Sequence, residues 1–270
     1  MRVLCVRMLL KNEITMMKLT RYVLYDIMRN RIVLLYAAFL FLITIGLFQL
    51  EDNPSKAILS LLTVVLTVLP LVSLIFTTIH YYNSYEFIEL MLAQPLSRTR
   101  VLLSEFGGLS LSLLGAFWVG VGLPVLFYAP DQTSFALLLT GSLLTLIFIS
   151  MAFFTSIHSR DKARGIGLAL LLWFYFTLIY DGLLLIILFA LSDYPMEKAT
   201  LLLSALNPVD LARIVIMLKM DISALMGYTG AVYKDFFGSS YGTMFTIGVL
   251  CVWAIVPFLI SHRRFLKKDM

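Results

Sequence analysis

Residues 135–157 read FALLLTGSLLTLIFISMAFFTSI, a run of twenty-three residues without a single charge. As an α-helix, such a run is about 34 Å long, which is enough to cross the ~30 Å hydrocarbon layer of a bilayer. A soluble helix of this length would carry polar residues along the side that faces water. The run therefore predicts a helix that is surrounded by lipid and by other apolar helices.

Five further runs of the same kind occur along the chain, so the sequence predicts six membrane-spanning helices. Hydrophobic residues make up 60% of the chain and charged residues 14%, against about 45–50% and about 25% in soluble proteins. We therefore expect an all-α integral membrane protein with a single transmembrane domain over residues 1–270. The predicted spans are Ile32–Leu50, Ala57–Ile79, Val101–Tyr128, Phe135–Ile157, Gly165–Leu191 and Thr243–Ile260.

Lysine and arginine residues are concentrated on alternate connections between these runs. The two termini and the second and fourth connections carry sixteen of the 21, and the remaining connections carry five. Because positively charged loops stay on the cytoplasmic side, we expect both termini in the cytoplasm. The net charge of +5 then reflects the excess of lysine and arginine on the cytoplasmic side, and it gives no reason to expect a nucleic-acid partner.

The segment before the first span, residues 8–30, has helical periodicity. Its apolar side chains recur at close to helical spacing, and Lys11, Lys18 and Arg29 fall on the other side. This pattern predicts an amphipathic helix in the interface of the inner leaflet, with a solvated helix as the alternative. The apolar positions are Leu10, Ile14, Met17, Leu24 and Met28.

The second connection, residues 80–100, reads HYYNSYEFIELMLAQPLSRTR. Its acidic and aromatic part suits a short helix, which Pro95 ends because proline disfavours helical geometry in the residue before it. An apolar and aromatic helix at the cytoplasmic surface needs a partner to cover it. We therefore expect a contact surface here.

This connection resembles the coupling region of the ABC-2 family of transporter permeases, in which an acidic, aromatic stretch precedes a turn like Pro95-Leu96-Ser97-Arg98. Six spans, cytoplasmic termini and a long outer connection before the last span also match that family. The resemblance implies a non-catalytic subunit that works as a homodimer with a separate cytoplasmic ABC ATPase (NosF-like), which binds ATP and Mg²⁺. The ATPase-coupling residues would be Glu86, Phe87, Glu89, Arg98 and, on the fourth connection, Arg160.

The long outer connection, residues 192–242, has apolar periodicity that predicts helices lying on the outer surface. Its elements Asn207-Pro208-Val209-Asp210 and MGYTGAV at 226–232 resemble the branch of the ABC-2 family that serves copper-site maturation of nitrous oxide reductase in denitrification. That resemblance implies a periplasmic NosD-like repeat protein and a NosL-like copper-chaperone lipoprotein as partners. The periplasmic contact would use Asn207, Asp210, Met226 and Tyr228.

Three methionines of the outer connection are weak candidates for copper ligands. Met217, Met220 and Met226 carry thioethers, which suit Cu(I), and the first two are three residues apart on a predicted helix. Methionine is also an ordinary apolar filler, and thirteen are scattered through the chain. Packing is therefore the favoured interpretation, and ligation remains the alternative.

Two features stand out within the predicted spans. Asp181 is the one acidic residue well inside an apolar run. Its carboxylate would bind a cation, relay a proton or make a structural hydrogen bond through Tyr175 or Tyr180, and the hydrogen bond is the favoured interpretation. Ala116 and Gly120 are four residues apart, a pattern of small side chains that permits close approach of two helices.

Several motifs are absent from the sequence. There is no G-x-x-x-x-G-K-[ST] loop for phosphates, and no H-E-x-x-H or C-x-x-C metal motif occurs around His80, His158 and His262. We therefore expect no directly bound cofactor and no catalytic residue. An ABC-2 exporter permease for another substrate and an ion-coupled secondary transporter remain alternatives; an integral membrane enzyme would need a polar cluster that the sequence lacks.

Overall fold

The computed structural model describes residues 17–94, 96–159, 161–190, 202–220 and 240–267. Within these ranges six helices are long and apolar enough to cross a membrane, and no strand occurs, which confirms the predicted fold class. We call them spans one to six in chain order, and the end of the bundle that carries His80, His158 and His262 is the inner end. They are Arg31–Leu50, Pro54–Asn83, Arg98–Tyr128, Gln132–His158, Lys162–Ile187 and Gly242–Lys267.

Several spans begin a few residues before their apolar run because a polar side chain caps the helix. Asn53 Oδ1 accepts from the Ser55 amide at 2.9 Å, and Asp131 Oδ1 accepts from the Ser134 amide at 2.8 Å. Each cap satisfies a backbone N–H that the first turn would leave without a partner. The caps place the outer ends of spans two and four where the chain turns back toward the inner end.

Span four lies at the centre of the bundle. It packs between spans two and six and also contacts spans three and five. Its aromatic side chains Phe148 and Phe153 are fully buried, whereas much of spans one, five and six faces outward with exposed apolar side chains. The arrangement suits a helical bundle whose outer surface contacts lipid.

Spans one and three approach closely at Gly120, as the small-residue spacing predicts. A Cβ atom at Gly120 would lie 2.6 Å from Leu40 Cβ and 2.9 Å from the Ala37 carbonyl oxygen. The second neighbour is backbone, so it cannot move aside without shifting span one. Gly115 lies on the same span with nothing within 4 Å of such a Cβ atom.

Gly120→Ala is therefore expected to destabilise the protein by about 1–3 kcal/mol through overpacking. Gly115→Ala is the matched control, and it should be neutral or stabilising because alanine favours helix over glycine. Thermal unfolding of the purified proteins in the same detergent compares the two. Equal unfolding midpoints for both variants would contradict the close contact between spans one and three.

A leading helix over residues 17–28 packs against the inner half of span three. Val23 and Ile27 are buried, and Val23 Cγ1 lies where a Cβ atom on Gly108 would stand. Met17 and Met28, which belong to the predicted lipid-facing side, are exposed. Residues 8–16 of the predicted interfacial helix lie outside the described residues, and its position in the membrane interface stays a prediction.

A linker helix, Tyr85–Leu92, joins spans two and three at the inner end. Just beside it, His80 Nε2 of span two lies 3.4 Å from Glu105 Oε2 of span three, and both side chains are almost fully buried. Ser84, where span two ends and the linker helix begins, has its Oγ 3.3 Å from the same histidine nitrogen. These contacts hold the linker helix to spans two and three together.

The long outer connection differs from the prediction of helices on the outer surface. Its helix Pro208–Lys219, which we call the inserted helix, contacts spans two, four and six and is buried among them. Its last carbonyl, that of Lys219, accepts from Thr133 Oγ1 at the outer end of span four. The reason is that apolar side chains cover most of its circumference, so a position on the surface would expose them: Val209, Leu211, Ala212, Ile214, Val215 and Ile216.

Candidate functional site

The linker helix presents two different faces. Ile88 is buried against the bundle, and the half-buried Phe87 stacks on Tyr22 of the leading helix with ring centroids 5.7 Å apart. Phe87 is thus engaged within the chain, although it is one of the residues predicted to contact the ATPase. This inward face fixes the orientation of the helix.

The outward face of the linker helix carries Glu86, Glu89 and Leu90, all exposed. Leu90 is 66% exposed, although it lies on a helix at the inner end, where water is available. Partial burial and the nearby Glu89 carboxylate raise the pKa of Tyr85, which keeps its hydroxyl neutral. Two carboxylates beside an exposed leucine form a small amphipathic surface that suits a basic and apolar groove on another protein.

The other predicted coupling residues lie elsewhere. Arg98 Nη1 donates to the carbonyl of Leu266, at the end of span six, with a distance of 3.1 Å. Arg160 lies outside the described residues. Contact of either residue with an ATPase therefore stays a prediction, and the exposed face of the linker helix is the described part of the surface.

A second polar group lies within the bundle, toward its outer end. Arg213 Nη1 of the inserted helix lies 2.6 Å from Asp181 Oδ2 of span five and 3.4 Å from Asp210 Oδ1. We call Asp181, Asp210 and Arg213 the polar cluster. Its Arg213–Asp181 contact joins the inserted helix to span five through a charge-assisted hydrogen bond, which is strong where water is scarce, whereas Asp210 lies on the same helix as Arg213.

Asp181 thus has a partner that the sequence did not indicate. The expected hydrogen bond through Tyr175 or Tyr180 is not the one found, since Tyr180 donates its hydroxyl to the carbonyl of Leu203 and Asp181 accepts from Arg213. Arg213 is thirty-two positions further along the chain, so no local pattern connects the two. The feature of the sequence that could have indicated a cationic partner for Asp181 is the single arginine within the apolar run LARIVIML at 211–218.

Asn207 fixes the start of the inserted helix. Its Nδ2 donates to the carbonyl of Phe176 at 2.9 Å, and its Oδ1 accepts from the Val209 amide at 3.0 Å. Phe176 lies in a wide, π-type turn, Tyr175–Ile179, where the backbone bonding pattern of span five changes register. About 16 Å of helix separate Phe176 from the outer end of span five, so the inserted helix begins deep within the bundle.

The polar cluster holds two carboxyl groups and one guanidinium. Burial, together with the neighbouring Asp181 carboxylate, raises the pKa of Asp210 above its usual value. Arg213 lies closer to Asp181 than to Asp210, so the contact with Asp181 is the one that ties the inserted helix to span five.

Two of the residues predicted to contact a periplasmic partner are buried within the chain, and their contact with such a partner stays a prediction. The side chains of Asn207 and Asp210 are buried and bonded within the chain, so they offer no contact surface in this arrangement. Their polar character serves the inserted helix instead, because a polar side chain among apolar helices needs a bonding partner. Met226 and Tyr228 lie outside the described residues.

Met217 and Met220 are partly buried and pack against the core. Met217 also lines a small cavity with Arg213 and residues of span two. No group of three His, Cys, Asp or Glu residues that could hold a metal occurs in the described ranges. Copper binding by the methionines stays a prediction.

The three histidines at the inner end each lie beside a protein group. His80 lies beside Glu105, His158 Nδ1 lies 2.7 Å from the carbonyl of Phe154, and His262 Nε2 lies 3.1 Å from Thr99 Oγ1. The pairs formed by His80 and His262 connect different spans, whereas that of His158 stays within one helix. The pairing of Glu105 with His80 and of Thr99 with His262 could not be predicted from the sequence, because the partners are distant in the chain.

Residues 87–270 match the family described as ABC-2 family transporter protein. A protein of Pseudomonas aeruginosa named "Probable ABC transporter permease protein NosY" is 30% identical to this chain over 191 residues, covering 67% of this chain and 68% of the relative. A protein of Stutzerimonas stutzeri with the same name is 26% identical over 278 residues, covering 93% and 97%. The matched family region begins within the linker helix and continues through spans three to six.

Proposed function

Because this chain belongs to the ABC-2 family of transporter permeases, we propose that it passes the work of a separate cytoplasmic ATPase across the membrane to the outer side. It is a multi-pass transmembrane subunit, and membership of this family implies an ATPase partner. In this proposal the chain is not itself an enzyme, and the ATPase subunit holds ATP and Mg²⁺. Both termini and the linker helix then lie in the cytoplasm, as the distribution of lysine and arginine predicts.

The single observation that carries the proposal is the outward face of the linker helix. Glu86, Glu89 and Leu90 stand exposed, while Ile88 and Phe87 anchor the other side to the bundle. A force applied to the exposed face is therefore transmitted to spans two and three, which the His80–Glu105 pair joins at the same level. A homodimer with two ATPase subunits is the assembly that the family resemblance favours.

We further propose that the complex serves copper-site maturation of nitrous oxide reductase in the bacterial inner membrane. Two relatives named NosY support this role, one over nearly the full length of this chain. A NosF-like ATPase, a NosD-like periplasmic repeat protein and a NosL-like copper chaperone would be its partners. The output is either a translocated solute or a conformational change passed to the periplasmic partner.

The experiment that tests this role is deletion and complementation in the source bacterium. We expect the deletion strain to make nitrous oxide reductase that lacks copper, and the intact gene to restore copper content. Copper content is measured on the purified reductase by elemental analysis. A deletion strain with a fully metallated reductase would assign the chain to an ABC-2 transporter for another substrate.

Copper handling by the chain itself needs a separate test. Met217→Leu/Met220→Leu keeps the apolar volume and removes both thioethers, so a packing role predicts unchanged reductase copper content and thermal stability. Cu(I) titration of the purified full-length protein, wild type and double variant, measures binding directly. Micromolar binding that the double variant loses would show ligation in place of packing.

A further inference from the structure

The inner end of span six is joined to the start of span three. Arg98 Nη1 donates to the Leu266 carbonyl at 3.1 Å, and Thr99 Oγ1 lies 3.1 Å from His262 Nε2. Phe265, between the two contact positions on span six, is fully buried. The last turns of span six are therefore packed onto the segment that follows the linker helix.

The same two spans stay in contact further into the bundle. The rings of Phe106 and Phe258 pack with centroids 4.3 Å apart. Phe258, His262 and Leu266 are spaced four residues apart on span six, so they lie along one face of that helix. Thr99 and Phe106, seven residues apart, likewise share a face of span three. The contact is thus a continuous stripe between two rigid helices.

Beyond this stripe, span six reaches the segment that carries the inserted helix. Trp253 Nε1 donates to the carbonyl of Ala205 at 3.2 Å, two residues before Asn207. The Trp253 ring also contacts Phe176 edge-on, with centroids 5.5 Å apart. Span six therefore contacts the start of span three with its inner end and the base of the inserted helix with its middle.

Span two offers a looser contact to the inserted helix. A cavity of about 170 Å³ lies between its residues Leu62, Thr63 and Thr67 and the side chains of Arg213 and Met217. Movement of span two can be absorbed by this free volume, whereas span six bonds directly to the backbone before the inserted helix. Of spans two and six, span six therefore has the tighter connection to the inserted helix.

We propose that span six carries movement of the linker helix and the start of span three to the inserted helix, with Thr99 and His262 as the pair that positions spans three and six against each other. The inference rests on the proposed function, since it specifies the route by which the ATPase acts on the outer side. The start of span three and the end of span six move as one body during the cycle. The output movement is then a displacement of the segment around Asn207, with the part of span five bonded to it, relative to span two.

The test uses the full complex with its ATPase subunit in nanodiscs. Leu206, which is 56% exposed and adjacent to Ala205, is replaced by cysteine in a Cys5→Ser/Cys251→Ser background and carries an environment-sensitive fluorophore. Thr99→Val and His262→Phe, alone and together, remove the polar pair while keeping much of the shape. We expect ATP hydrolysis and ATPase binding to persist while the ATP-dependent fluorescence change falls by about fivefold or more.

Two further comparisons test whether the effect comes from the contact between Thr99 and His262. The double variant should be no worse than the single ones, because residues that act through one contact are not additive. His158→Phe is the matched control: it makes the same substitution in another inner-end histidine whose contact lies within its own helix, so its response should equal that of the parent protein.

Cross-linking fixes the contact between spans three and six that the substitutions weaken. A bismaleimide between Thr99→Cys and His262→Cys should leave the ATP-dependent change at a tryptophan or spin reporter near Leu206 intact, since the two ends move together. A blocked response after cross-linking, or a full response in Thr99→Val and His262→Phe, overturns the route through span six. Failure of the parent protein to bind an ATPase or to respond to ATP would instead overturn the proposed function, and the route with it.

Discussion

Arg213→Ala is expected to destabilise the protein by about 3 kcal/mol, because it leaves the Asp181 carboxylate among apolar helices without its cation. The two groups are 2.6 Å apart, and their side chains are about two-thirds buried, at 31% exposure each. Loss of the pair also removes one of the two polar contacts described above between the inserted helix and span five, and leaves that of Asn207. We therefore expect protease cleavage of the outer connection to become faster in the variant.

Thermal unfolding of the purified protein in one detergent measures the first effect, with a fall in midpoint of roughly 5–10 °C. Asp210→Asn is the matched control within the polar cluster. Asp210 lies on the same helix as Arg213 and 3.4 Å from it, so the neutral amide there should lower the midpoint much less than the loss of Arg213 does. Midpoints that fall equally in both variants, or in neither, would contradict the assignment of Asp181 as the partner of Arg213.

Asp181→Asn separates structure from function at the same position. The amide still accepts a hydrogen bond from Arg213, and the Asp210 carboxyl, 3.4 Å from Arg213 Nη1, remains as its anion, so the protein should assemble with its ATPase subunit. If the charge of Asp181 takes part in the cycle, the ATP-dependent output is lost although assembly persists. Output equal to that of the wild type would make the carboxylate a purely structural group.

Glu86→Ala/Glu89→Ala is expected to weaken binding of the ATPase subunit by about tenfold, corresponding to a loss of about 1.4 kcal/mol from two exposed charge contacts. Both side chains are exposed and make the outward face of the linker helix acidic. Their removal should leave the thermal stability of the isolated permease unchanged. ATP hydrolysis that depends on the permease should fall in proportion to complex formation.

Binding is measured by titrating the ATPase subunit onto the permease in nanodiscs. Glu51→Ala/Asp52→Ala removes the same two negative charges from the outer end of span one, so it controls for net charge. We expect this control to bind the ATPase like the wild type. Normal binding by Glu86→Ala/Glu89→Ala would move the contact surface away from the linker helix.

The spans could be predicted from the sequence because a bilayer imposes one length and one polarity on every helix that crosses it. The linker helix was also predictable, since Pro95 and the charged ends of the flanking spans confine it to the inner end. Each of these features is local in the chain. The described structure accordingly has a span at every predicted position.

The inserted helix could not be placed from its sequence. Apolar periodicity reports that a helix has a face to bury, but it does not tell whether lipid headgroups or neighbouring helices cover that face. The answer depends on Asp181, whose pairing with Arg213 spans thirty-two positions, and on Asn207, which bonds a carbonyl of span five. The same long-range contacts explain why Asn207 and Asp210 are not surface residues.

The proposal that a separate ATPase subunit drives this chain is tested by measuring ATP hydrolysis by the purified protein in nanodiscs, alone and with its ATPase subunit. We expect no hydrolysis by the permease alone, stable complex formation with the subunit, and an ATP-dependent change on the outer side only in the complex. Hydrolysis of ATP by the permease alone, or a change on the outer side that needs no ATPase, would overturn the proposed function.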